Sequence, residues 1–185
     1  MDRQGRLVDP AQFFGAGNYA GWMNRFYRYR HYRTLLGPTS CSMGYGMPAA
    51  VAAKRLYPDR PVIALAGDGC FLMNGQELAT AVHYGLNIVI LVINNGIYGT
   101  IRMHQEREYP GRVSATNLTN PDFAKLAEAY GAYGEVVVRT EDFAPAFARA
   151  QRADGPALLE LRIDPEAITP DHSLSEIRAA AEARA

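Results

Sequence analysis

Two oxygen-bearing side chains, Asp68 in Gly67-Asp68-Gly69 and Asn95 in Asn94-Asn95-Gly96, each follow directly on a short apolar run. A hard divalent cation such as Mg2+ takes oxygen ligands at ~2.0 to 2.1 Å in octahedral geometry and usually shares its shell with phosphates. A carboxylate, a carboxamide and a backbone carbonyl from the turn after Asn95, most simply that of Ile97, make up such a donor set. Gly67 and Gly69 let the backbone turn sharply and approach a ligand closely. A helix starting near Cys70 would offer free N–H groups and a positive dipole end to a phosphate. These residues describe a metal-bridged diphosphate site. Taken singly, Gly-Asp-Gly and Asn-Asn-Gly are common turn sequences. Their pairing is more informative, because the 24 residues between Gly69 and Asn94 spell one helix and one strand.

The elements that must position this pair follow from periodicity. Pro61 to Ala66 and Asn87 to Ile93 read as buried parallel strands. Between them Phe71, Leu72, Leu78, Ala79, Val82 and Tyr84 keep helical spacing, closed by Gly85. A right-handed crossover then brings Asp68 and Asn95 to the same edge of the sheet, on strands ~4.8 Å apart. Upstream, Pro48 opens a helix over Ala49 to Leu56. Downstream, Asn120 caps and Pro121 opens a helix over Phe123 to Tyr130, followed by a strand over Glu135 to Val138. Thr140 caps a helix to about Ala153, and Ala157 to Ile163 forms another strand. The stretch Leu7 to Phe14, broken by Asp9-Pro10, reads as a weak or edge strand. The pattern predicts an α/β fold, a doubly wound and mostly parallel sheet with helices on both faces, in which ligands sit beyond the carboxyl ends of the strands. Residues 1–170 read as the binding domain and 171–185 as a helical tail, a surface appendage with Ser173 and Glu176 as its capping box.

The chain has 185 residues, 19 Lys plus Arg and 19 Asp plus Glu, so its formal net charge is zero. No global field recruits nucleic acid. With 48% hydrophobic and 21% charged residues it reads as a globular domain. Cys41 and Cys70 give neither a disulfide framework nor metal-ligand spacing, which fits a reducing, cytoplasmic setting. Met1 to Pro10 carries charges where a secretory signal needs an apolar stretch, and no apolar run approaches the ~20 residues of a membrane span. Arg25 to Arg33, with four arginines among aromatics, reads as a partner-facing segment rather than a nucleic-acid site.

Gly67-Asp68-Gly69, the 24-residue interval and Asn94-Asn95 resemble the signature of thiamine-diphosphate enzymes in their diphosphate-binding, C-terminal domain. Ser42 to Ala50 resembles the segment before that signature in acetolactate synthases and benzoylformate decarboxylases, and Asn74 to Ala81 the helix after it. The resemblance covers roughly Gly15 to Asp164. It implies thiamine diphosphate and Mg2+ as cofactors, with Asp68, Asn95 and the Ile97 carbonyl as metal ligands. Gly67 belongs to the same turn, and Gly69, Cys70 and Tyr98 would contact the diphosphate. Met43 matches the apolar wedge that bends the cofactor, and the Cys41 carbonyl, at a position often Gly in the family, matches an acceptor for its 4′-amino group. Gly17 and Asn18 match a loop near the diphosphate. The chemistry implied is attack on the carbonyl of a 2-oxo acid, decarboxylation and, in some members, carboligation. The cofactor supplies the electron sink.

Family members also carry a pyrimidine-binding domain whose glutamate activates the cofactor, and no Glu of this chain sits in that context. The expectation is an enzyme component that is inactive alone. It would need a pyrimidine-binding domain or subunit, as in the split sulfopyruvate decarboxylases, and would act in an oligomer. The alternative is a non-catalytic fragment or interaction module that retains cofactor binding. His104 stands where acetolactate synthases have Trp, which sets acetolactate synthesis in question and makes His104 a candidate proton-transfer group or a plain polar residue of a loop or helix.

Overall fold

The computed structural model describes residues 10–184. Six strands form one sheet, β1 (Ala11–Phe14), β2 (Leu35–Leu36), β3 (Val62–Gly67), β4 (Val89–Asn94), β5 (Tyr133–Val137) and β6 (Ala157–Arg162), in the order β2-β1-β3-β4-β6-β5. All the pairings are parallel. The crossovers from β1 and from β3 run in opposite directions, so the strand order reverses beside β1 and β3, where α/β sheets open a crevice for ligands.

Alternate residues of the buried strands feed two cores, as a sheet covered on both faces requires. Val62, Ala64, Ala66, Ile90 and Val92 face α2 (Gly46–Leu56), α4 (Glu77–His83) and α6 (Phe123–Ala129). Val89, Leu91 and Leu159 face α7 (Thr140–Ala150). The doubly wound architecture expected from the sequence is the one observed.

Several local features differ from the sequence reading. The first strand is interior, flanked by β2 and β3, because Pro10 precedes its first residue and removes no ladder donor; Leu7 to Asp9 lie outside the described residues. The helix between β3 and β4 is two, α3 (Asp68–Asn74) and α4. The break falls at Gly75, over which the Phe71 ring folds while its edge packs on Phe123. Asp122, not Asn120, caps α6 by accepting from the Lys125 amide at 2.9 Å. Two further helices, α1 (Tyr19–Phe26) and α5 (Gly99–Glu108), have no side-chain N-cap bond and carried no start signal.

The terminal helix α8 (Leu174–Glu182) has the expected Ser173–Glu176 capping box. It is not a free appendage but docks on α5. Arg178 donates to Glu106 through Nε at 2.7 Å and Nη2 at 2.5 Å, and Arg102 Nε donates at 3.2 Å. Glu106, 1% exposed, is thereby held at a pKa of about 2, chiefly by the hydrogen bonds from Arg178. No helix among the described residues is long and apolar enough to cross a membrane.

Candidate functional site

Gly67 ends β3 in extended conformation and Asp68 is already the first residue of α3, two positions earlier than the sequence suggested. The Asp68 side chain is 3% exposed. Its Oδ1 accepts the Gly69 amide at 2.8 Å, and its Oδ2 accepts the Gly96 amide at 2.9 Å and Asn120 Nδ2 at 2.8 Å. All three donors are uncharged amides. Burial pushes the Asp68 carboxyl above its ordinary value, and the three hydrogen bonds offset only part of that effect.

On the neighbouring strand, Asn95 follows β4 directly, and its Oδ1 accepts the Ile97 amide at 3.2 Å. The loop is pinned from outside: Tyr98 N donates to Thr116 O at 2.8 Å, Leu118 N to Gly96 O at 2.8 Å, and Ile97 bridges Asn117. Tyr98 is thereby laid over Gly69. A Cβ at Gly69 would sit 2.7 Å from the Tyr98 ring and 3.4 Å from the Met43 methyl, so only glycine fits.

A cavity of about 830 Å³ opens at this edge. Its wall brings together Met43, Gly67, Asp68, Gly69, Cys70, Asn95, Ile97 and Tyr98, with Gly17 and Asn18 beside them. Asn18 ties the start of α1 to α5 and to the segment after β6: its Oδ1 accepts Thr100 Oγ1 at 2.8 Å and its Nδ2 donates to Ile168 O at 3.1 Å. Cys70 Sγ donates to Ala16 O at 2.7 Å, and burial raises its thiol pKa. Tyr19 packs its ring against Gly67 and accepts the Gly15 amide at 2.9 Å; burial raises its phenol pKa. Two sequence candidates are not on this wall. His104 is exposed on α5. Cys41 is exposed and has φ +53, a left-handed conformation that favours glycine.

Sequence reasoning missed Asn120. It is a good capping residue two positions before another, Asp122, and local sequence could not say which of them caps and which turns inward.

Asp68 offers a carboxylate and Asn95 a carboxamide at this edge, and among the described residues no group of three or more His, Cys, Asp or Glu is placed to hold a metal ion. Oxygen donors of this kind suit a hard cation. Residues 15–161 match the family described as "Thiamine pyrophosphate enzyme, C-terminal TPP binding domain". The chain belongs to that family. It is 36% identical over 151 residues to the acetolactate synthase catalytic subunit of Aspergillus candidus, covering 81% of this chain and 22% of that protein. With the acetolactate synthase large subunit of Corynebacterium glutamicum the identity is 38% over 160 residues, covering 83% and 26%. Among solved structures, the thiamine diphosphate-dependent 4-hydroxybenzoylformate decarboxylase of Rhodococcus jostii superposes with a TM-score of 0.80 at 34% identity, covering 88% of this chain and 31% of that one. The chain thus spans about a quarter of the length of the curated relatives it matches, and corresponds to one domain of these thiamine pyrophosphate enzymes.

Proposed function

We propose that the chain binds thiamine diphosphate through Mg2+ as the diphosphate-binding domain of an acetolactate-synthase-like enzyme acting on 2-oxo acids by decarboxylation or carboligation. The single observation carrying this reading is Asp68, a buried carboxylate bonded only to uncharged donors, set beside Asn95 and the Ile97 loop. Asp68, Asn95 and the Ile97 carbonyl hold the cation in this reading. Gly69, Cys70 and Tyr98 flank the diphosphate, and Met43 supports the cofactor rings from the cavity wall. When bound, thiamine diphosphate supplies the electron sink for cleavage beside a 2-oxo carbonyl. The protein's part is to exclude water and hold the metal. A pyrimidine-binding domain or subunit completes the site in a cytoplasmic oligomer, and the tail read at 171–185 joins the 1–170 binding domain through the contact of α8 with α5.

The test is calorimetry with thiamine diphosphate and Mg2+ on wild type and Asp68→Ala. Binding by the wild type that needs Mg2+ and disappears in the variant is the expected result. No binding by the wild type, even with a candidate pyrimidine-binding partner present, contradicts the proposal. Turnover of pyruvate by the isolated chain contradicts the requirement for a partner.

A further inference from the structure

Four side chains behind the cation site form one hydrogen-bonded series across the carboxyl ends of β3, β4 and β6. Asn120 Nδ2 spends one proton on Asp68 Oδ2 at 2.8 Å and the other on Asn94 Oδ1 at 2.9 Å. Asn94 Oδ1 also accepts the Gly96 amide at 3.1 Å, and Asn94 Nδ2 donates to Glu160 Oε1 at 2.9 Å. Glu160, 1% exposed, further accepts Arg162 Nε at 2.8 Å and the Phe123 amide at 3.0 Å.

The direction of every bond in this series is forced. A carboxylate paired with a guanidinium only accepts, so Glu160 requires the NH2 of Asn94. The Asn94 oxygen must then face Asn120, which requires the NH2 of Asn120 to point both ways. Asn120 Oδ1 is left buried with no partner, an unfavourable arrangement that a flipped amide would only worsen by facing two acceptors. The consequence falls on Asp68. Its Oδ2 carries two donors, while Oδ1 carries one and keeps capacity for a further partner.

We propose that Asn120, oriented through Asn94 by Glu160, is a positioning residue that ties down one oxygen of Asp68 and leaves the other for the cation. The role rests on the metal reading above. Outer partners that orient a ligand commonly contribute 10- to 100-fold to metal affinity.

The experiment measures half-saturating Mn2+, by water-proton relaxation in the presence of thiamine diphosphate, for the full chain and its variants. N120A is expected to raise it about 10-fold. N120D, the same size but with acceptors facing Asp68 and Asn94, is expected to raise it further. N94D sets a carboxylate against Glu160 and is expected to weaken binding as well. The double variant N94D/E160Q restores donor to acceptor between positions 94 and 160 at the same net charge, gives up the Arg162 bond to Glu160 Oε1, and is expected to recover part of the N94D loss. A spacer role predicts the opposite order, with the isosteric N120D milder than N120A and no rescue, and that order overturns the proposal. A wild type that binds, with N120A and N120D unchanged, overturns the positioning role alone. A wild type that does not bind Mn2+ overturns the metal reading and this role with it.

Discussion

Of the three buried acids among the described residues, two differ most, Asp68 just after β3 and Glu106 on α5, and their ionisation is driven in opposite directions. Glu106 has two guanidinium partners, from Arg102 and Arg178, which hold its pKa at about 2. Asp68 has three amide donors and no charged one, and its pKa is raised by burial. A buried carboxylate is stable in its ionised form only where a positive charge or enough hydrogen-bond donors compensate its lost hydration. The fold supplies that charge within the chain for Glu106, which makes a clamp. For Asp68 it supplies only amide donors, as the proposed cation site requires.

The comparison is sharpest where one acid loses its partner. Arg178→Ala leaves Glu106 buried with Arg102 alone, and the expected loss of stability is roughly 3 kcal/mol. For a chain of this size that lowers the melting temperature by roughly 10 °C, read by calorimetric unfolding. If α8 were an independent tail, the variant would melt like wild type.

The two acids also leave opposite signatures in pH. A carboxyl held below its ordinary value near 4.5 contributes stability that is complete above that value and is lost as pH falls toward about 2. Glu106→Gln is therefore expected to flatten the acid limb of a urea-unfolding series between pH 4.5 and 2. Asp68 has the other sign. Its raised pKa means that the native state favours the protonated form, so in the absence of a divalent cation its contribution falls as pH rises through the native value. A persistent steep acid limb in Glu106→Gln would show that another group carries it.

Smaller effects separate the regions further. Gly69→Ala pushes against the Tyr98 ring and is expected to weaken cofactor binding roughly 10-fold, about 1.4 kcal/mol, with a lowered denaturation midpoint. Cys41→Gly relieves a non-glycine residue at φ +53 and is expected to add about 1 kcal/mol of stability, seen as a higher denaturation midpoint.

Local sequence carried β3, β4 and the placement of Asp68 and Asn95, because strand runs and the turns after them are short-range features. Glu106 and Arg178 are 72 residues apart, and nothing in the Ala- and Arg-rich tail announces which acid it meets. Asn120 reaches Asp68 across 52 residues, by way of the segment around Thr116 to Leu118 that pairs with the Ile97 loop. β2 is only two residues long, too short for any periodicity to register. What escaped the sequence is what tertiary contact decides, namely which of two capping residues turns inward and which of the buried acids Asp68, Glu106 and Glu160 receive an arginine.

The most direct test sets the two acids against each other in one calorimetric series of thiamine diphosphate and Mg2+ binding, at a temperature where all the proteins are folded. The expected result is that Asp68→Ala abolishes binding while Arg178→Ala, though less stable, binds as wild type does. Wild-type affinity in Asp68→Ala would contradict the assignment of that buried carboxylate to an external cation.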